Sequence, residues 1–202
     1  MMTSVQEYVS KYPKLKAMYD RALRFLPTLS AKDINVIAPA MLAPNVLGTT
    51  IVEGDKCTVY FEHDPPSLDV FVHELIHCAL PLEGVEGEEI AYNLVDLVMF
   101  FPKPFDLGKF YFFLKSKRAL ELLQSIIFKM YGVDLGEFFR IQGNVVPCFE
   151  RETLPEGMSP RFECSDEQKT MFAVIELIEG SKDFPQYRII LERFIEKFTE
   201  EV

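Results

Sequence analysis

Tryptophan is absent, histidine occurs three times, and basic residues are outnumbered by acidic ones, 21 to 31. The resulting formal charge of −10 excludes a general nucleic-acid binder, because phosphate contacts need clustered lysine and arginine. No run of about 18 uncharged apolar residues exists to span a bilayer; the best stretch, Ile90 to Phe101, is interrupted by Asp96. The N-terminal stretch MMTSVQEYVSKYPKLK has no apolar segment followed by small residues, so no secretory signal is expected. The four cysteines (Cys57, Cys78, Cys148, Cys164) form no C-x-x-C pair, which argues against a zinc ribbon and against a disulfide scaffold. A reducing cytoplasm is the expected location. Asparagine and glutamine total only nine and glutamate is abundant, a lean towards a heat-adapted source.

What is present is ample core material: 49% hydrophobic residues, among them 18 Phe and 8 Tyr, in 202 residues. That suffices for one compact domain with a helical extension. Apolar spacing of three and four over residues 4 to 26 predicts a helix broken or restarted at Pro13. Residues 34 to 38 read as a short strand. VLGTTIV and CTVYFEH, separated by a Gly54-Asp55 turn, read as a hairpin. A helix follows from about Pro65, Pro66 and Ser67 to Leu80, and a second runs from near Glu88 to just before Pro102.

Residues 106 to 131 read as one long helix closed by Gly132. Its Phe-rich face, FYFFLKSKRALELLQSIIFKMY, is expected to pack in a helical core rather than lie on a membrane. Residues 143 to 165, rich in Pro and Gly, are expected to be irregular. Ser165 with Gln168 and Asp183 with Gln186 then mark two further helix starts. The predicted class is α+β, with a first part over 1–142 and a helical extension over 143–202 packed on the same domain.

All three histidines lie between residues 63 and 77, and two of them form His73-Glu74-Leu75-Ile76-His77. Helical residues four apart share a face, about 6 Å apart, so both imidazoles can reach one zinc ion. Glu74, turned about 100° around the axis from His73, is unsuited to ligation but placed to act as general base towards water. His63 and the acidic cluster Glu83, Glu86, Glu88 and Glu89 are the available third ligands. Cys78, turned away from the metal face, reads as a small buried apolar residue. Asp69, in the helix's first turn, reads as a charge complementing the dipole.

The stretch Val70-Phe71-Val72-His73-Glu74-Leu75-Ile76-His77-Cys78-Ala79, with the preceding strand over Thr58 to Glu62, resembles the zincin metallopeptidases. The branch it resembles is the gluzincins, and among them the small intracellular phage-repressor-cleaving zinc peptidases. The resemblance covers about residues 56 to 102. It implies a zincin-like small mixed sheet, with the strand before the metal helix as a cleft-side edge strand that binds extended substrate. It also implies a Zn2+ cofactor and a glutamate ligand on the following helix, with an Asp or Asn four residues later supporting a ligand histidine. Glu89 with Asn93 satisfies that relation, and Pro102 falls nine positions after Asn93 as in those peptidases. The register fits imperfectly, since Tyr92 stands where Ala is common; aligning Ala91 instead would make Glu88 the ligand.

The implied activity is hydrolysis of peptide bonds in an intracellular protein or peptide, with Glu74 as general base. A catalytically silent zinc-binding interaction or sensor module is the alternative. No residue for the oxyanion stands out among Tyr111, Tyr131, Arg140, Tyr187 and Arg188, and the substrate-binding residues are not legible.

Overall fold

The computed structural model describes residues 1–144, 148 and 164–202 of the chain. The order of elements begins β1 (Met2–Ser4), α1 (Val5–Ser10), α2 (Pro13–Phe25), a 3-10 turn (Pro27–Ala31), β2 (Asp33–Ile37), β3 (Gly48–Glu53) and β4 (Lys56–Phe61). Then come α3 (Leu68–Ala79), α4 (Gly84–Phe100), α5 (Leu107–Phe113), α6 (Lys117–Tyr131) and α7 (Leu135–Ile141). The last two helices, α8 and α9, cover Asp166–Gly180 and Pro185–Glu201. This is an α+β chain with a mixed sheet. Among the described residues no helix is long and apolar enough to cross a membrane.

The chain divides into two compact units, Met1–Gly108 and Lys109–Val202, with α5 straddling the division. The division thus falls earlier than the expected boundary after residue 142. The reason is packing: α6 lies against α7, α8 and α9 within the second unit, so the helical part begins well before residue 143.

In the first unit the sheet has the order β1-β2-β4-β3. β2 and β4 run parallel, while β1 and β3 flank them antiparallel. Alternation does what the pleat requires: Ile34 and Val36 of β2, and Cys57, Val59 and Phe61 of β4, are buried while their neighbours are not. The β3–β4 hairpin turns at Gly54, whose φ of +62° is the left-handed conformation that glycine adopts without steric cost. β4, the strand expected at the cleft edge, is interior, because its other side pairs with β2. β3 occupies the edge instead. The short β1 carried no signal beyond three residues and was not expected.

Helices α1 and α2 break at Pro13, which takes the first helical position of α2. α3 begins after Ser67 and ends at Leu80 before Pro81, and Phe71, Val72, Leu75 and Ile76 fill its inner side. α4 starts at Gly84, a turn earlier than Glu88, and lays Gly87, Ile90, Ala91, Leu94 and Val98 inward. Arg21 of α2 secures its far end: Nε donates to the Val98 carbonyl at 2.5 Å and Nη2 to that of Phe101. Such side-chain donors satisfy carbonyls that have no partner within the helix.

One covalent bond ties the layers of this unit. Cys57 of β4 and Cys78 of α3 form a disulfide, and Cys148 and Cys164 form a second. No free cysteine remains among the described residues. The reading of Cys78 as an unpaired apolar residue, and of the four cysteines as unlinked, is therefore corrected. The pairs are distant in sequence, and the fold brings each pair's Cα atoms to 5.8 and 5.5 Å, within bonding range.

In the second unit the expected single helix over 106–131 is two helices. Ser116 ends the first stretch and caps the second, accepting from the Ala119 amide at 3.3 Å. Its apolar residues form core as anticipated: Phe110 is fully buried and stacks edge-on with Phe194 and Phe198. α8 has the anticipated capping box of Ser165 and Gln168. α9 starts not at Asp183 but at Pro185, with no side-chain cap, since proline's fixed φ already suits the first helical position. The irregular stretch expected over 143–165 lies for the most part outside the described residues.

Candidate metal centre

The H-E-x-x-H segment occupies the middle and last turn of α3. Both histidines turn their Nε2 atoms to one point, 3.2 Å apart. From α4, Glu88 reaches that point with both carboxylate oxygens, Oε2 lying 2.9 Å from His73 Nε2 and Oε1 2.8 Å from His77 Nε2. Two imidazole nitrogens and a carboxylate make up the donor set of an open zinc site, which leaves a fourth position for water or substrate. Ligand atoms around a tetrahedral zinc at 2.0–2.1 Å stand about 3.3 Å apart, so the observed spacings need to open by only a few tenths of an ångström. The set fits the ion. The His73 and His77 side chains are 8% and 12% exposed and that of Glu88 52%, so solvent reaches the cluster on the α4 side.

Glu89, expected as the third ligand, is exposed and stands outside the cluster. Glu88 takes that place because successive helical residues diverge by about 100°. The two glutamates leave α4 on opposite flanks of its buried stripe, and the Glu88 flank faces α3. Asn93 does not support a histidine either. It is buried, and its Nδ2 donates to the Glu89 carbonyl one turn back, at 2.9 Å. His63, the other alternative, is exposed and lies 3.5 Å from Glu62, apart from the centre.

Glu74 is 5% exposed, and its Oε2 accepts from the Thr50 hydroxyl of β3 at 2.5 Å. Burial pushes its carboxyl above the ordinary range; Thr50, His73 and His77 draw it partly back, while Glu88 raises it further. A buried carboxylate with a raised affinity for protons, beside a group that could hold a cation, is suited to accept a proton. Gly48 makes room for it. A Cβ there would stand 3.0 Å from both Cγ and Oε1 of Glu74 and 3.2 Å from Val70 Cγ1. Thr50 and Gly48 were not singled out in the sequence, since only the packing of β3 on α3 reveals them.

Two further features belong to the centre. The Tyr92 ring lies over His73, centroids 4.5 Å apart. His73 Nδ1 is buried without a hydrogen-bond partner among the described residues. The five residues considered for the oxyanion all lie in the second unit. Among their neighbours there, Arg140 pairs with Glu137, Arg188 with Glu192, and the Tyr187 hydroxyl accepts from Asn144.

No known family model, no curated protein and no solved structure matches this chain.

Proposed function

We propose that the chain is a zinc-dependent peptidase of the gluzincin kind, with His73, His77 and Glu88 holding the metal and Glu74 as general base. The observation that carries this reading is the meeting of three ligand atoms from two helices, in a His2Glu set, beside a buried carboxylate that is not itself a ligand. Zinc at this point would act as a Lewis acid, polarising the scissile carbonyl and easing the deprotonation of water. Glu74 would take the proton from the attacking water and pass it to the departing amine. Thr50 fixes the orientation of Glu74 from β3, which among the described residues pairs on one side only and would offer its other edge to an extended segment of a protein or peptide substrate.

The disulfides refine the location. Such bonds persist in oxidising compartments, or in the disulfide-rich cytosol of hyperthermophiles. A cytoplasmic site for this peptidase is therefore proposed only for a heat-adapted cell, in keeping with the scarcity of asparagine and glutamine.

Metal content of the purified full chain, with single substitutions, tests the reading. About one zinc per chain is expected in the wild type and in Glu89→Ala, and substantial loss in His77→Ala and Glu88→Ala. A peptide-cleavage screen against Glu74→Gln follows. Metal retained by Glu88→Ala would overturn the ligand set. Bound zinc with no cleavage by wild type above that of Glu74→Gln would make the chain a silent binding module.

A further inference from the structure

Metal-bound histidines ordinarily donate their second ring N–H to a carboxylate, carbonyl or water, which fixes the tautomer and the ring plane. His73 departs from that rule. It is 6% exposed, and its Nδ1 has no partner among the described residues. Asn93, expected to supply a side-chain oxygen to a histidine, makes no hydrogen bond to it among the described residues, and its Nδ2 donates to the Glu89 carbonyl instead.

What His73 does have is Tyr92. The two rings are tilted at 44° with centroids 4.5 Å apart, inside the range of favourable aromatic packing. Tyr92 follows Glu88 by four residues on α4, which places it about 40° around the axis on the same flank. Helical side chains lean towards the N-terminus, so the Tyr92 ring reaches back over the turn that carries Glu88. One helix thus grips the imidazole twice, at Nε2 through the Glu88 carboxylate and on its face through Tyr92. Tyr92 is itself 67% exposed and its hydroxyl has no hydrogen-bond partner among the described residues, so neither core burial nor a polar bond accounts for its position.

We infer that Tyr92 is the positioning residue of His73, holding the ligand's ring plane by face packing where such ligands otherwise rely on an acceptor at Nδ1. The inference rests on the metal reading above and concerns the ring of Tyr92, not its hydroxyl. The alternative use of this tyrosine, as a hydrogen-bond donor, predicts the opposite behaviour of the phenylalanine variant.

The experiment is zinc affinity of the full chain by chelator competition, together with the visible spectrum of the cobalt-loaded protein, for wild type, Tyr92→Phe and Tyr92→Ala. Tyr92→Phe should bind within about twofold of wild type with an unchanged cobalt spectrum. Tyr92→Ala should bind about 10- to 100-fold more weakly, the usual loss when support of a ligand is removed, with an altered spectrum. Because Tyr92 is exposed, far-ultraviolet dichroism and the melting temperature of the metal-free variants should match wild type, which separates this effect from misfolding. Equal affinity and spectrum in Tyr92→Ala overturns the inference and leaves the metal site standing. Equal weakening in Tyr92→Phe assigns the role to the hydroxyl and overturns it as well. A wild type that takes up no metal overturns the site and the inference together.

Discussion

Removing the Cys57–Cys78 bond should loosen the first unit by an amount that chain statistics fix. The two residues are 21 apart in sequence. A cross-link closing a loop of about 22 residues removes about 11 cal/mol/K of unfolded-chain entropy, which is about 3 kcal/mol at 25 °C. For a unit of about 100 residues, each kcal/mol moves the melting temperature by roughly 4–8 °C, so the shift should be about 12–24 °C. The assay is calorimetry of metal-free wild type, Cys57→Ala, Cys78→Ala and the double variant, after thiol titration has confirmed that the wild type exposes no thiol on denaturation. Both sulfurs are buried, so each substitution also loses packing. The cycle separates the two effects: each single variant already loses the bond, so the double variant should cost far less than the two singles added together. A double variant melting within about 3 °C of wild type, or one whose cost equals the sum of the singles, refutes the entropic account.

Two further outcomes follow from the surroundings of Glu74. Gly48→Ala should crowd Glu74 from 3.0 Å and cost about 1–3 kcal/mol in urea unfolding, while lowering peptide cleavage and leaving zinc content unchanged; unchanged stability and cleavage would mean that β3 gives way freely. In the metal-free protein, a carboxyl whose folded pKa is raised binds more protons in the folded state than in the unfolded one. Stability should therefore fall as pH rises from the ordinary glutamate range through the folded pKa of Glu74. Glu74→Gln should flatten that decline in melts from pH 4 to 8, and parallel profiles for the two proteins would remove the burial cause.

Local rules made much of the first unit legible in the sequence. Pro13, the Gly54-Asp55 turn and the Pro65–Pro66–Ser67 start each mark a boundary through their own backbone chemistry, and the structure places elements accordingly. His73, Glu74 and His77 were legible for the same reason, because a spacing of four within one helix needs no tertiary information. The glutamate that joins them was not. Glu88 and Glu89 border the same buried stripe from opposite sides, and only the packing of α4 on α3 decides between them. Ala91 held a clue, since it belongs to the register that favours Glu88. The disulfides failed to show for a related reason: their partners sit on different elements, and no local spacing announces them. Ser116 could have divided the long helix, being a good cap, but continuous apolar periodicity on both sides hid the break.

β3, which among the described residues is paired on one side only, has a bearing on how the protein behaves in concentrated solution. Ile51 and Val52 are about half exposed along that strand, and Glu53 is its one charged side chain. Unpaired edges of this composition template pairing between identical chains. At neutral pH the formal charge of −10 sets copies repelling one another over a Debye length of about 8–10 Å. Near the isoelectric point of about 4.9, that collective repulsion vanishes while the edge remains. Colloidal stability of this protein is thus a property of its whole surface charge, standing guard over a single strand that carries little protection of its own.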